Sequence, residues 1–111
     1  MGFETRYAHP GPTLAELAAS DGAALLEFGT PWCGWCRGAQ PAIAAALAEH
    51  PAVQHLKVED GTGRPLGRAF RVKLWPTLIF LNHGQEVARL VRPQDVGPIA
   101  RALEAIDRKS S

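Results

Sequence analysis

Apolar residues along the first two thirds of the chain alternate between helical spacing and short continuous runs. Leu14 and Leu17 lie on one helical face, and Thr13 with Glu16 has the spacing of a capping box. The run 23–28 is instead typical of a strand that is buried on both faces. The same reasoning predicts, in order, helix 13–20, strand 23–28, helix 34–50 with Pro41 inside it, strand 53–58 and helix 64–70.

The last third of the chain has a different pattern. Two apolar stretches, 77–81 and 86–91, flank a turn in which Gly84 can supply a positive φ, so a hairpin is predicted. A final helix is predicted to begin near 97–98, and 3–7 is predicted as a short edge strand. Alternating helices and strands followed by a hairpin favour an α/β fold, with a central mixed sheet of four to five strands and helices on both faces.

Length and charge narrow the class of protein. The 111 residues are 46% apolar and 21% charged, which predicts one globular domain over 1–111 with 110–111 as a loose tail. A net charge of +1 gives no long-range attraction to nucleic acid or anionic lipid. No stretch approaches the roughly 18 apolar residues of a membrane span. With Met1 as the native start, we expect a cytoplasmic monomer that binds neither nucleic acid nor membranes.

Two cysteines, Cys33 and Cys36, lie where the predicted strand 23–28 gives way to the predicted helix 34–50. A disulfide across two intervening residues constrains the unfolded chain little, so a chemical role is favoured over a structural one. Unpaired N–H groups and the helix dipole stabilise a thiolate on Cys33, whereas Cys36 lies one turn deeper. The spacing predicts Cys33 as the nucleophile and Cys36 as the shielded, resolving thiol.

Metal binding is one alternative for the cysteine pair. Together with His50 and His55 the pair gives the pattern C-x2-C-x13-H-x4-H, which is close to a zinc-finger spacing. Pro51 separates the two histidines, however, and the cysteines open a helix instead of a hairpin, so we expect no metal site. A further alternative is that both cysteines are inert core residues, which a corner flanked by two tryptophans does not favour.

The chain resembles the thioredoxin family over nearly its whole length. The resemblance rests on the segment 28–36, on Pro41 five residues later, and on 69–72 leading to Trp75-Pro76-Thr77. It implies a thioredoxin fold and a thiol-disulfide oxidoreductase that reduces protein disulfides. The Cys33–Cys36 disulfide is then the redox-active group, with no bound cofactor. The partners implied are disulfide-containing proteins as substrates and a flavin-dependent thioredoxin reductase as electron donor.

The resemblance also implies an acid and a lysine behind the cysteines. Glu27 lies six residues before Cys33, where the family carries a buried acid, and we expect it to accept the Cys36 proton through a water molecule. Lys57 occupies the position where the family often has a lysine near that acid, so it is expected to modulate Glu27. The alternative is that Glu27 lies at a sheet edge and faces solvent.

A peptide-binding groove is implied beside a cis peptide bond between Trp75 and Pro76. Trp35 replaces the Pro of reducing thioredoxins and the His of protein disulfide isomerases, which leaves the redox poise open. Trp75 replaces a smaller aliphatic or hydroxyl residue before Pro76, and Arg92-Pro93 stands where the family usually has Gly-Ala, so both are expected to narrow or charge the groove. The alternative for either tryptophan is that it caps the core. The residues predicted to contact substrate are Trp32, Gly34, Trp35, Trp75, Pro76 and Arg92.

The alternative to an enzyme is a binding protein: a thioredoxin-like adaptor, chaperone or redox sensor. Such a protein would still bind its partner after both cysteines had been replaced. The sequence alone leaves open the physiological substrate and whether the pair acts as reductant, oxidant or isomerase.

Overall fold

The computed structural model describes residues 3–107, which contain four strands and four helices. Their order is the predicted one, and the predicted tail 110–111 lies outside the described residues. The helices are α1 (Leu14–Ala19), α2 (Gly34–Ala48), α3 (Pro65–Ala69) and α4 (Val96–Ile106). The strands are β1 (Ala23–Gly29), β2 (Gln54–Glu59), β3 (Thr77–Asn82) and β4 (Gln85–Val91).

The helix boundaries follow from local chemistry. The Thr13 hydroxyl accepts the Glu16 N–H while the Glu16 carboxylate accepts the Thr13 N–H, so α1 begins with the predicted capping box. Cys33 caps α2, which continues through Pro41 and ends two residues before the predicted boundary. No helix among residues 3–107 is long and apolar enough to cross a membrane.

The sheet is mixed, with the strand order β2-β1-β3-β4. β1 pairs with β2 in parallel and with β3 antiparallel, and β3 pairs with β4 antiparallel. The β1–β2 register places Glu27 opposite Lys57. Because β1 is central and its last residue leads directly to the cysteines, the active-site corner rests on the most buried strand of the sheet.

The predicted edge strand 3–7 is wrong. In this segment the Glu4 carboxylate accepts the N–H groups of Thr5 and Arg6, a local turn that competes with pairing to a neighbouring strand. The segment meets the sheet only at Ala8, in an isolated parallel bridge to Val58. The sheet therefore has four strands, the lower of the two predicted numbers.

Alternation along β1 divides the core into two layers. Leu25 packs against α2 and α4, whereas Leu26 and Phe28 pack on the opposite face, towards α1 and α3. Glu27 lies on the same face as Leu25, beneath α2. The buried residues of the α2–α4 layer include Ile43, Leu47, Leu78, Phe80, Ile99 and Leu103.

Candidate active site

The two cysteines lie at the corner between β1 and α2 and differ sharply in exposure. Cys33 has extended backbone angles, is partly exposed, and accepts the Cys36 N–H on its Sγ at 3.2 Å. Cys36 is completely buried. Both thiols are free, so this is the dithiol form of the pair. One sulfur can be reached from solvent, and the other lies a single helical turn beneath it.

Burial controls the acidity of the inner cysteine. It raises the pKa of Cys36 to about 12, and the adjacent Cys33 sulfur adds to this rise. The backbone N–H of Thr30 and the hydroxyl of Tyr7 act in the opposite direction. Cys36 is therefore a thiol at neutral pH and needs a proton acceptor before it can act as a nucleophile.

Glu27 is fully buried, which excludes the alternative of a solvent-facing carboxylate. Its Oε2 accepts a hydrogen bond from Gln40 Nε2 at 2.9 Å, and its Oε1 accepts one from His55 Nε2 at 2.8 Å. The backbone N–H of Glu4 donates to His55 Nδ1, so the ring proton is on Nε2. Gln40 Nε2 also donates to the carbonyl of Cys36, at 2.7 Å, which links the acid to the helical turn that carries the cysteines.

Lys57 is buried beside this acid but reaches it through an intermediary. Its Nζ donates to Gln40 Oε1 at 2.7 Å, and the other end of the same amide binds Glu27. Lys57 Nζ also lies 4.6 Å from the centre of the Tyr7 ring. A line of hydrogen bonds therefore runs from Lys57 through Gln40 to Glu27.

Three residues of this cluster were missed in the sequence: Tyr7, Gln40 and His55. For two of them a signal exists. Gln40 is four residues after Cys36, hence on the same helical face, and His55 precedes Lys57 by two, hence on the same face of β2. Each is a polar residue at an inward-facing position.

Four of the predicted groove residues, Trp35, Trp75, Pro76 and Arg92, are linked by contacts around the Trp75–Pro76 peptide, which is cis. The backbone N–H of Arg92 donates to the Pro76 carbonyl, and its side-chain Nε donates to the Trp75 carbonyl, both at 2.8 Å. The Arg92 guanidinium also lies 4.9 Å from the centre of the Trp35 ring, within range of a cation–π contact. Asp60 accepts the Trp75 indole N–H at 2.8 Å and fixes that ring.

The tryptophans beside the cysteines are surface residues. Trp32 is 66% exposed and Trp35 51%, so neither caps the core, and Gly34 is exposed as the first residue of α2. Trp75 is partly buried. The rim of the site therefore carries exposed indoles, with the Arg92 guanidinium over the Trp35 ring.

The histidines of the zinc alternative are engaged elsewhere. His50 Nδ1 lies 2.6 Å from Asp107 Oδ2, and His55 is bound to Glu27. Residues 3–107 contain no group of three or more metal-ligating side chains. Zinc coordination by the cysteines and these histidines has no support in the structure.

Known proteins resemble the chain in sequence and in structure. The family model described as thioredoxin matches residues 13–105. A thioredoxin of Chlamydia trachomatis is 39% identical over 85 residues, which are 76% of this chain and 82% of that protein. A thioredoxin of Chlamydia muridarum is 35% identical over the same shares of both chains. The solved structure of thioredoxin 2 from Pseudomonas aeruginosa PAO1 in its reduced form has a TM-score of 0.85 and 49% identity, covering 97% of this chain and 100% of that one.

The geometry and the comparisons point to the same family. A partly exposed cysteine begins a helix and a buried cysteine lies one turn below it. The chain matches known thioredoxins over most of their length. The chain belongs to the thioredoxin family, and it is a protein-disulfide reductase that acts by thiol-disulfide exchange through Cys33 and Cys36.

Proposed function

We propose that Cys33 attacks the substrate disulfide and that Cys36 completes the exchange. The observation that carries this division is the contrast in exposure: Cys33 is partly exposed at the start of α2, and Cys36 is completely buried. A disulfide on the surface of another protein can approach Cys33 Sγ, whereas Cys36 is accessible only to a sulfur already attached at Cys33.

The first step forms a mixed disulfide. The Cys33 thiolate attacks one sulfur of the substrate disulfide, a bond forms between that sulfur and Cys33, and the substrate disulfide breaks. The other substrate sulfur leaves as a thiolate and takes a proton from solvent. The N-terminal dipole of α2 and the Cys36 N–H, 3.2 Å from Cys33 Sγ, stabilise the attacking charge.

The second step releases the substrate. Cys36 gives up its proton, its thiolate attacks Cys33 Sγ, and the Cys33–Cys36 bond forms as the mixed disulfide breaks. The second substrate sulfur leaves as a thiolate. Two electrons have then passed from the cysteine pair to the substrate, and the redox-active disulfide is the only redox group that the cycle requires.

Glu27 is proposed as the acceptor of the Cys36 proton. Each of its oxygens accepts one hydrogen bond in the structure and keeps a further lone pair for a proton. A cleft of about 510 Å³ is lined by Tyr7, Thr30, Gln40 and Lys57, which are neighbours of Cys36 or Glu27, although those two residues do not line it themselves. Water from this cleft is proposed to enter between them and carry the proton. Lys57 modulates the charge on Glu27 through Gln40.

The groove around Pro76 is proposed to hold an extended segment of the substrate protein. Trp32, Gly34 and Trp35 lie on the cysteine side of it, and Trp75 precedes Pro76. The Arg92 guanidinium connects the two parts, because it lies over the Trp35 ring and donates to the Trp75 carbonyl. The exposed indoles offer apolar contact, and the fixed Arg92 guanidinium favours a substrate with a carboxylate or carbonyl at that position. Shape and one cation, more than overall charge, would select the partner.

A flavin-dependent thioredoxin reductase is proposed to return the Cys33–Cys36 disulfide to the dithiol form. The family supports a reductase of this kind in general. The chain is proposed to act as a single domain and a monomer in the cytoplasm, where such a reductase would keep the pair reduced.

Reduction of insulin disulfides tests the roles of the two cysteines. Cys33→Ser is expected to lose activity completely, and Cys36→Ser is expected to accumulate a covalent adduct with substrate that the wild type does not. Equal rates for the wild type and Cys33→Ser would refute the role of Cys33. A partner that binds unchanged after both replacements would instead support the adaptor function.

A further inference from the structure

A tyrosine hydroxyl beside the inner cysteine has no part in the mechanism above. The hydroxyl of Tyr7 is buried and has no hydrogen-bond partner among residues 3–107. Buried tyrosine hydroxyls are normally paired, because leaving one unpaired costs about 1–3 kcal/mol. An unpaired hydroxyl next to a reactive sulfur therefore needs an explanation.

Gly29 shows how close this hydroxyl is to Cys36. A Cβ placed on Gly29 would lie 2.6 Å from Cys36 Sγ and 3.1 Å from the Tyr7 hydroxyl oxygen. The last residue of β1 must therefore lack a side chain for the two groups to share this space. Sulfur and hydroxyl both border the place that the missing methyl group would fill.

The Tyr7 ring is fixed from two directions. The next residue, Ala8, donates its N–H to the Lys57 carbonyl at 2.7 Å and accepts the Glu59 N–H at 3.2 Å. The Lys57 ammonium lies 4.6 Å from the ring centre, a cation–π contact. The phenol is therefore anchored through its backbone and its ring, with its hydroxyl on the same side of Gly29 as Cys36 Sγ.

The hydroxyl remains a donor at working pH. Burial, and the negative charges of Glu27 and Cys36, raise the pKa of Tyr7 above its ordinary value. A thiol sulfur is a weak acceptor, which agrees with the absence of a hydrogen bond in the dithiol form, whereas a thiolate accepts strongly.

We propose that the Tyr7 hydroxyl donates a hydrogen bond to Cys36 Sγ as Cys36 loses its proton, and so stabilises the thiolate that resolves the mixed disulfide. This role rests on the proposed function of Cys36 as the resolving thiol. Tyr7 keeps its own proton throughout: the Cys36 proton goes to the acceptor described above, and the sulfur–sulfur exchange is unchanged. The donors beside Cys36 Sγ are then the Thr30 N–H and the Tyr7 hydroxyl, and the Cys33 sulfur is the neighbouring group that opposes ionisation of Cys36. Glu27 is the neighbouring charge of Tyr7.

The acidity of Cys36 is the first test. In a Cys33→Ser variant Cys36 is the one remaining cysteine, so the cysteine Cβ resonance in NMR reports on Cys36 alone. The Cys33 sulfur then no longer raises the Cys36 pKa. Adding Tyr7→Phe is expected to raise the Cys36 pKa by about one unit, the effect of losing one hydrogen bond to a charged group. An unchanged pKa would overturn the proposal.

The rate of resolution is the second test. A rise of one pKa unit leaves about tenfold fewer thiolates, each about threefold more nucleophilic, so resolution in Tyr7→Phe is expected to be about threefold slower. The first attack, measured in a Cys36→Ala background, is expected to be unaffected by Tyr7→Phe. Equal slowing of both steps would show that Tyr7 only supports the fold.

Phe3→Leu is the matched control. Phe3 is the other ring beneath Lys57 Nζ, at 5.4 Å, and it carries no hydroxyl. An equal rise of the Cys36 pKa in Phe3→Leu would assign the effect to packing around Lys57 and overturn the role of the hydroxyl. If Cys36→Ser fails to trap substrate, the proposed resolving role of Cys36 fails, which is a separate outcome from an unchanged Cys36 pKa.

Discussion

His55 Nε2 lies 2.8 Å from Glu27 Oε1, and both side chains are completely buried. The imidazole is neutral in this arrangement, since its Nδ1 accepts the backbone N–H of Glu4. Glu27 thus accepts hydrogen bonds from His55 and Gln40, and the Lys57 ammonium donates to the other end of the same Gln40 amide. The acid behind the cysteines is positioned by hydrogen bonds more than by direct charge pairing.

Replacing His55 tests the strength of this hydrogen bond. His55→Leu removes a donor from a buried carboxylate and is expected to lower the free energy of unfolding by about 2 kcal/mol. His55→Gln keeps an N–H at the end of the side chain and is expected to lose less than half as much. Urea unfolding of the three proteins measures both changes, and an equal loss for Leu and Gln would contradict the prediction.

Glu27→Gln separates the two chemical steps. Without a carboxylate the Cys36 proton has no acceptor at this position, so resolution of the mixed disulfide is expected to slow by about tenfold or more while the first attack keeps its rate. Stopped-flow kinetics with a trapped intermediate distinguish the steps. Glu86→Gln, which alters a carboxylate paired with Arg89 on β4, is the control and is expected to behave as the wild type. Normal resolution in Glu27→Gln would remove Glu27 from the mechanism.

Arg92 is expected to affect substrate binding more than chemistry. Its φ is +52°, so truncation to glycine adds no backbone strain, and Arg92→Gly removes the contact with Trp35 and the bond to the Trp75 carbonyl. The KM for insulin is expected to rise about threefold, with kcat towards a small aliphatic disulfide unchanged. Arg71, with φ +57° and an exposed side chain, provides the matched control Arg71→Gly. An equal rise in KM for both variants would show that the groove does not depend on the Arg92 guanidinium.

Gly29 and Gly34 differ in the space available to a methyl group. Gly29→Ala forces Cys36 Sγ or the Tyr7 hydroxyl to move and is expected to cost about 1–3 kcal/mol of stability. At Gly34 no atom lies within 4 Å of an added Cβ, so Gly34→Ala is expected to be neutral or to stabilise α2 by up to about 1 kcal/mol. Thermal unfolding of the reduced proteins compares them, and a loss at Gly34 as large as at Gly29 would refute the argument.

The stability of the dithiol form is expected to depend on alkaline pH through Cys36. The Cys36 pKa rises from an ordinary value of 9.0 to about 12 in the folded protein, so the unfolded chain loses this proton first as pH increases. The contribution of the Cys36 thiol to the free energy of unfolding is therefore complete below pH 9. It is lost between pH 9 and 12, at no more than about 1.4 kcal/mol per pH unit. Urea unfolding of the reduced protein across this range should show a steeper decline than Cys36→Ala. Parallel curves would contradict the assignment.

Local patterns predicted the order of the elements, because each helix and strand here follows from its own periodicity and caps. The edge strand 3–7 was wrong, since the Glu4 side chain satisfies nearby N–H groups in a turn that propensity alone does not reveal. Cys33 and Cys36 were recognisable from their spacing.

The cluster around Glu27 was only partly predictable. His55 lies 28 positions from Glu27 in sequence, and the Tyr7 hydroxyl meets Cys36 only because Gly29 on a third element leaves room. Such contacts depend on tertiary packing between distant segments, and no local pattern encodes them. Polar residues at inward-facing positions of α2 and β2 were the available signal.

The isolated Ala8–Val58 bridge also bears on how the molecule coexists with its substrates. Unpaired sheet edges attract extended chains and promote aggregation. Here the segment before α1 lies against the outer edge of β2, and on the opposite edge strand, β4, Arg89 binds both Glu86 and the Phe70 carbonyl. The register of β3 against β4 is also interrupted between Phe80 and Leu81. Both outer edges of the sheet are thereby less available for pairing with an extended chain from another protein.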